Sequence, residues 1–367
     1  MLWYGKWFPV DGNYAFVRQI TRRQADLGHS VALAYHGPED LNPSARDPRI
    51  AYLTLPSFHP GPGLAVARPG TSRALVRHIG EFAPDVVHAS LRVGSLDMAL
   101  PSICERLDIP LVINFHVSFA RTINTASAAS AAIYALSRRI LSAAAAVVAS
   151  GPQQRAWLER LGGVDGARIH EVPHGVNHVR FCPGASEWRQ RIRESYVVGY
   201  LGRLAPEKNL DALCRGFLRA ELENARLVIA GQGPSATSLQ RKFGGEPSIT
   251  MLGHISSRTE VADIMRGLDV FVLPSLIEGL SLSLLEAMAS GAVPVATDVG
   301  EQHSLVDGCG VLLHPTRVAE GVRRALIELA VHPERCRTLA AAARARARRR
   351  GWDRTASEIT ELYRRVV

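Results

Sequence analysis

Cysteine is scarce in this chain. The five cysteines, at 104, 182, 214, 309 and 336, are scattered and odd in number. That argues against a disulfide framework and leaves no metal-ligand spacing. A reducing cytosol is the simplest compartment. Long apolar runs are missing too. The longest, AAAAVVA at 143–149, falls far short of the ~20 residues that span a bilayer. The opening stretch, MLWYGKWFPVDGN, lacks the basic start of a secretory signal and runs straight into a periodic segment. Aromatic residues are 6% of the chain and do not interleave with basic ones, so no nucleic-acid partner is expected. HExxH, a Walker A loop and the dinucleotide fingerprint are absent as well. These absences count against an NAD enzyme and leave no need for a protein-bound metal or other cofactor.

What is present is enough apolar material for two cores. The chain has 367 residues, 47% of them hydrophobic, and a net charge of +9. Its length suggests two domains. Part of the positive excess lies in Arg344, Arg346, Arg348, Arg349 and Arg350. That run reads as a solvated helix surface near the C-terminus, and an anionic membrane surface is the other partner it would suit.

Short apolar runs alternate with amphipathic stretches. Strands are expected at 31–35, 86–89, 111–114, 146–150 and 169–172, then at 197–201, 227–230, 270–273, 293–296 and 311–313. Helices are expected at 14–27, 210–220, 261–266, 318–329 and 355–363. Successive rather than alternating apolar residues mark buried parallel strands, and the order is that of open α/β sheets. The first strand, 2–5, is short and reads as a truncated start or an incomplete sheet edge. Residues 178–195, with Pro183, Gly184 and a charge run but no strand, read as the break. The expected domains are therefore 1–180 and 196–350, with a linker at 181–195 and a last helix, 352–367, packing back on the first. Two such domains would face each other across a cleft, with ligands beyond the C-terminal ends of the strands.

The candidate site residues fall at those strand ends. In GRLAPEKN, 202–209, Arg203 offers a fork of donors and Lys208 a mobile point charge, which together could grip a diphosphate. The bland alternative is two surface cations flanking a Pro turn. In SLIEGLSLSLLEAMASGAVPV, 275–295, Glu278 stands in a Gly-containing loop and Glu286 at the start of the next helix. Glu286, in an apolar run, needs a partner. It could accept both hydroxyls of a ribose, and Glu278 could accept sugar hydroxyls. An internal salt bridge is the alternative for both. A helix N-terminus here would offer free N–H groups to a phosphate. Gly12, in PVDGNY, would let backbone amides approach a phosphate, or simply make a turn. His116 could bond a sugar or be a core or loop histidine, and His88 is a similar strand-end residue. His174 is read as structural. Gly231-Gln232-Gly233-Pro234 would shape the site, while Leu252, Gly253 and His254 could hold a base.

Taken together, these residues resemble the retaining glycosyltransferases of family 4, which have the GT-B fold of two Rossmann-like α/β/α domains. The resemblance spans nearly the whole chain. It is most specific in EGLSLSLLEAMASGAVPVAT joined to GRLAPEKN. It implies that Arg203 and Lys208 hold a donor diphosphate and that Glu286 binds the ribose. Glu278 would lie near the donor sugar and the reacting centre, while Gly279, Leu280, Ser281 and Leu282 form the turn whose amides approach phosphate and sugar. Gly12 corresponds to the second glycine of an N-terminal Gly-Gly loop, and His116 to a strand-end histidine on the donor sugar. Asp269 and Pro274 match the strand leading to the acidic motif.

Two departures stand on the donor side: Asp11 replaces the first glycine of the pair, and Leu280-Ser281 replaces an aromatic-Gly. The implied reaction moves a hexose from a nucleotide-diphosphate sugar, of UDP-glucose or GDP-mannose type, to a hydroxyl of a glycan or lipid. The expected setting is cell-envelope polysaccharide or glycolipid synthesis, in the cytoplasm or on the inner face of the membrane. Residues 121–132, small in side chain, are expected to line the acceptor side. The competing readings are another enzyme on the same fold, such as an epimerase or a phosphorylase, and a catalytically inactive GT-B protein serving as a binding module.

Overall fold

The computed structural model describes residues 1–6, 12–36, 46–61, 64–91, 95–115 and 128–367. These fall into two compact units. Gly175–Gly351 make up one, and the other holds the described residues up to 174 together with 352–367.

In the first unit, strands β1 (Leu2–Lys6), β2 (Val31–His36) and β3 (Ile50–Thr54) precede a small hairpin, β4 (Ser57–Gly61) with β5 (Leu64–Ala67). Then come β6 (Val87–Leu91), β7 (Leu111–Phe115), β8 (Ala146–Ala149) and β9 (Ile169–Glu171). Helices α1 (Gly12–Asp26), α2 (Thr71–Phe82), α3 (Ser95–Arg106), α4 (Ala128–Ser142) and α5 (Pro152–Leu161) connect them. The sheet order is β3-β2-β1-β6-β7-β8-β9, with parallel pairing throughout. β1 is thus interior, not an incomplete edge. It pairs with β2 on one side and β6 on the other, and Leu2 and Trp3 are fully buried.

The second unit opens with the short helix α6 (Glu187–Gln190). Six strands follow: β10 (Tyr196–Leu201), β11 (Ala225–Ala230), β12 (Ile249–Gly253), β13 (Val270–Leu273), β14 (Val293–Thr297) and β15 (Val311–Leu313). Between and after them run α7 (Leu210–Arg219), α8 (Ala236–Phe243), α9 (Arg258–Arg266), α10 (Leu282–Ser290), α11 (Gln302–Val306), α12 (Val318–Val331) and α13 (Pro333–Arg348). The order β12-β11-β10-β13-β14-β15 is all parallel. Because β10 and β13 are neighbours whose chains leave in opposite directions, the topological switch point lies between them, and ligands of open α/β sheets sit there. The loops that leave these two strands are 202–209 and 274–281.

Residues 181–195, expected as a linker, belong to the second unit. Ser186 Oγ donates to the Asp263 carbonyl at 2.8 Å and the Trp188 amide to Asp263 Oδ2 at 2.8 Å. Both contacts fasten α6 to α9. The division between units falls earlier, between His174 and Gly175.

The last helix, α14 (Trp352–Val366), belongs to the first unit. Its buried residues Trp352, Thr355, Ala356, Ile359, Thr360 and Tyr363 recur at helical spacing. Gln24 Nε2 donates to Thr360 Oγ1 at 2.9 Å, and Thr355 Oγ1 to the Pro173 carbonyl at 2.9 Å. His88 is not a strand-end site residue. It lies inside β6, fully buried, stacked on Trp3 and 2.7 Å through Nδ1 from Tyr363 Oη. Burial pushes its pKa down to about 3, so it is a neutral core histidine. His174 packs similarly, against Phe16 and Trp352.

Candidate functional site in the second unit

The loop after β10 is held from below. Tyr200 Oη donates to the Arg203 carbonyl at 2.8 Å, and the Leu204 amide to the Gln232 carbonyl at 2.9 Å. Gly231 makes this approach possible. Its φ is +145°, and a Cβ there would lie 1.8 Å from the Gly202 carbonyl oxygen, a contact only glycine avoids. A 3-10 turn, Pro206–Lys208, then ends at Asn209 in the left-handed region (φ 51°). This short turn carries the Lys208 side chain back toward the loop after β13.

That second loop is stitched to the first. The Leu276 amide donates to the Glu207 carbonyl at 2.8 Å. Lys208 Nζ donates to Glu278 Oε1, and Ser275 Oγ donates to the same oxygen at 3.0 Å. The side chains of Lys208 and Glu278 are only 18% and 9% exposed. Two charges so far from water persist because they face each other. Burial, helped by the nearby carboxylates of Glu278 and Glu207, pushes the Tyr200 phenol up.

Behind Glu278 begins α10. Ser281 is its N-cap, accepting the Leu284 amide at 3.3 Å. The Leu280-Ser281 departure from the family pattern therefore has a local structural role. Leu282 is the first helical residue, and Glu286 lies one turn further in, not at the helix start as its sequence suggested. The cap at Ser281 moves the start forward. Glu286 is 14% exposed in its side chain and pairs through Oε1 with Arg258, the first residue of α9. Arg258 also lies over the Phe181 ring, 5.0 Å from its centroid. Burial raises the Glu286 carboxyl above the usual range, against the opposing pull of Arg258 and Arg180.

The structure thus joins Lys208, Glu278 and Ser275, and forms a second pair from Glu286 and Arg258. It does not place Arg203 and Lys208 on one partner: Arg203 pairs with Glu207, within its own turn. Gly253 ends β12, and its carbonyl accepts the Gly231 amide at 2.7 Å; His254 beside it is exposed. Asp269 is structural, since its Oδ2 accepts the Val197 amide at 2.7 Å. Of the arginine run, Arg346 caps the end of α11, donating to the carbonyls of Leu305 and Asp307 at 3.2 and 2.5 Å. In the first unit, Gly12 is the first residue of α1. His116, Asp11 and residues 121–127 lie outside the described residues. Ser275, Arg258 and Gln302 were missed by sequence reasoning. Only Ser275 carried a signal, three residues before Glu278 at the end of the β13 run.

A basic turn, an acidic loop and a capped helix thus meet at the switch point of a parallel sheet, where ligands of open α/β sheets sit. Residues 12–180 match the family model described as Glycosyltransferase Family 4, and residues 195–331 the one described as Glycosyl transferases group 1. The D-inositol 3-phosphate glycosyltransferase of Kineococcus radiotolerans is 32% identical over 336 residues, covering 81% of this chain and 75% of the relative. The GDP-mannose-dependent alpha-mannosyltransferase of Mycolicibacterium smegmatis is 30% identical over 285 residues, covering 74% and 68%. Among solved structures, sucrose-phosphate synthase from Thermosynechococcus elongatus superposes with a TM-score of 0.83 at 21% identity, covering 99% and 98%.

The chain belongs to the family 4, group 1 type glycosyltransferases. It is a transferase enzyme of the GT-B fold, built from two Rossmann-like units.

Proposed function

We propose that this enzyme transfers a hexose, with retention at the anomeric carbon, from a nucleotide-diphosphate sugar to a hydroxyl of a glycan or lipid acceptor. The observation that carries the reading is the Lys208–Glu278 contact, made between two loops at the switch point and beside the N-terminus of α10. A paired cation and acid there can be drawn apart by a donor that supplies both a diphosphate and a sugar. Lys208 would then meet the diphosphate, Glu278 the sugar. Arg203, 59% exposed in its side chain, is free to swing from Glu207 to the same diphosphate. The leading amides of α10 would face a phosphate, because a helix cannot satisfy them itself. Glu286 would exchange Arg258 for ribose hydroxyls.

In the transition state, charge builds on the departing diphosphate. Fixed cations there stabilise it more than they stabilise the ground state. Arg203 and Lys208 supply this charge in the proposal without a protein-held metal, so turnover should survive EDTA. The donor in this reading is a hexose of UDP-glucose or GDP-mannose type, and one relative is named for GDP-mannose dependence. A place at the inner face of the membrane, in cell-envelope glycan or glycolipid synthesis, fits the charge of +9. No helix among the described residues is long and apolar enough to cross a membrane.

The test is a panel of UDP-, GDP- and ADP-sugars, read by thermal shift and nucleotide release. Selective stabilisation with slow release by one donor supports the reading. A donor isomerised without release would indicate an epimerase, and no binding at all would favour a non-catalytic module.

A further inference from the structure

The acidic loop is gripped from behind by the segment that follows β14. Gly300 has φ +55°, and a Cβ on it would lie 2.2 Å from the Glu278 carbonyl oxygen. The two backbones therefore touch at a point where only glycine fits. The next two residues both hold the neighbouring carbonyl. Gly279 O accepts the Glu301 amide at 3.0 Å and Gln302 Nε2 at 2.8 Å.

Gln302 is fully buried, and its Oε1 has no hydrogen-bond partner among the described residues. A buried acceptor left without a hydrogen bond destabilises the fold. An apolar residue of the same length would avoid that cost. What the glutamine provides is its single bond to Gly279, the residue between Glu278 and the start of the α10 cap.

We infer that Gln302 is a positioning residue for the transfer reaction, fixing the Gly279–Leu280 peptide that follows Glu278 so that the Glu278 carboxylate is aimed at the donor sugar. The inference rests on the role proposed above for Glu278. Among the described residues the Gln302 side chain makes no hydrogen bond to Arg203, Lys208 or the Glu278 carboxylate. It acts through the Gly279 carbonyl, and its removal should misplace Glu278 while leaving the Glu286–Arg258 pair in place. A misplacement of about an ångström in a reacting group costs on the order of 100-fold in rate.

The experiment compares wild type, Gln302→Met, Glu278→Gln and the double variant. UDP release from UDP-glucose and GDP release from GDP-mannose are followed, with the dissociation constants of UDP and GDP measured by calorimetry. For Gln302→Met, kcat should fall about 10- to 100-fold while nucleotide binding stays within about threefold. Adding Gln302→Met to Glu278→Gln should cost nothing further, since both act on one group. Hydrogen exchange of the 279–284 amides should quicken in Gln302→Met and nowhere else. A purely structural role predicts lower melting temperature, unchanged kcat in folded molecules and additive effects, and would overturn the inference. So would unchanged exchange at 279–284, whatever the activity. If Glu278→Gln retains full turnover, the role of Glu278 fails. If it loses turnover while Gln302→Met does not, only the positioning role fails. Should Gln302→Met not fold, Gln302→Leu, which also removes the donor, goes through the same comparison.

Discussion

Replacing Arg258 with alanine should destabilise the second unit in a way that depends on pH. Glu286 is 14% exposed in its side chain, and its partner Arg258 is 50% exposed. Burial raises the Glu286 carboxyl and Arg258 is the first of the causes that oppose the rise. Without the guanidinium, the folded-state pKa climbs further above the unfolded value. An acid with a raised folded pKa binds its proton more readily in the folded state. Its cost to stability is therefore absent below the unfolded value, about 4.3, and grows as pH rises through the folded value. At pH 7 the cost has a ceiling of about 3.7 kcal/mol, because at ~1.4 kcal/mol per pH unit protonation becomes the cheaper outcome. A half-exposed arginine is partly replaced by water, so the expected loss is smaller, about 1–2 kcal/mol at pH 7 and close to zero at pH 4. Denaturant melts of wild type and Arg258→Ala across this range measure it. In a two-state melt, a deficit equal at both ends would refute the charge argument and leave only the stacking of Arg258 on Phe181.

Three further outcomes follow from the same geometry. Lys208→Ala should lower turnover at least about 100-fold in a folded protein, as loss of a charge aimed at a leaving group does; unchanged turnover in a folded variant would remove Lys208 from the mechanism. Lys208→Met and Glu278→Gln should each cost stability, up to about 3 kcal/mol, whereas the double change should recover most of it, because no buried charge is left alone; turnover should not recover, and calorimetry with a turnover assay separates the two. Tyr363→Phe should cost about 1–3 kcal/mol by stranding His88 Nδ1, with turnover per folded molecule unchanged; a specific loss of turnover would make His88 more than a core residue.

Much of the fold could be read from the chain, and the reasons are local. Val270–Leu273 and Val293–Thr297 are continuous apolar runs bounded by turn signals, and both are strands buried in all their residues. β3 was missed although IAYLT is mostly apolar, and β4 of the hairpin because SFHPG mixes polar, proline and apolar residues with no clean period. α13 carries four alanines in a row and many arginines, with little apolar stripe to announce it. The domain break was misplaced because residues 181–195 look like a linker by composition, and their tie to α9 is a tertiary contact.

The site divides the same way. Lys208 and Glu278 were visible as charges at strand ends, although 70 residues separate them. Arg258 and Gln302 were not. Each meets its partner across 28 and 23 residues, through packing of neighbouring elements, and neither stands in a pattern that periodicity or charge spacing reveals. Arg203 shows the converse, a contact within one turn that charge spacing offers and the reading did not name. Its charge was read toward a shared ligand with Lys208, yet the nearest acid, Glu207 one turn away, takes it first.

In the proposed function, the switch-point loops of the second unit hold the diphosphate of a nucleotide-sugar donor. A crystal structure of the protein with UDP or GDP, whichever binds, tests it most directly. The β-phosphate is expected within hydrogen-bond distance of Arg203 and Lys208, with the Lys208–Glu278 contact opened and the ribose hydroxyls on Glu286 in place of Arg258. A nucleotide seated elsewhere, with both ion pairs intact, would contradict it.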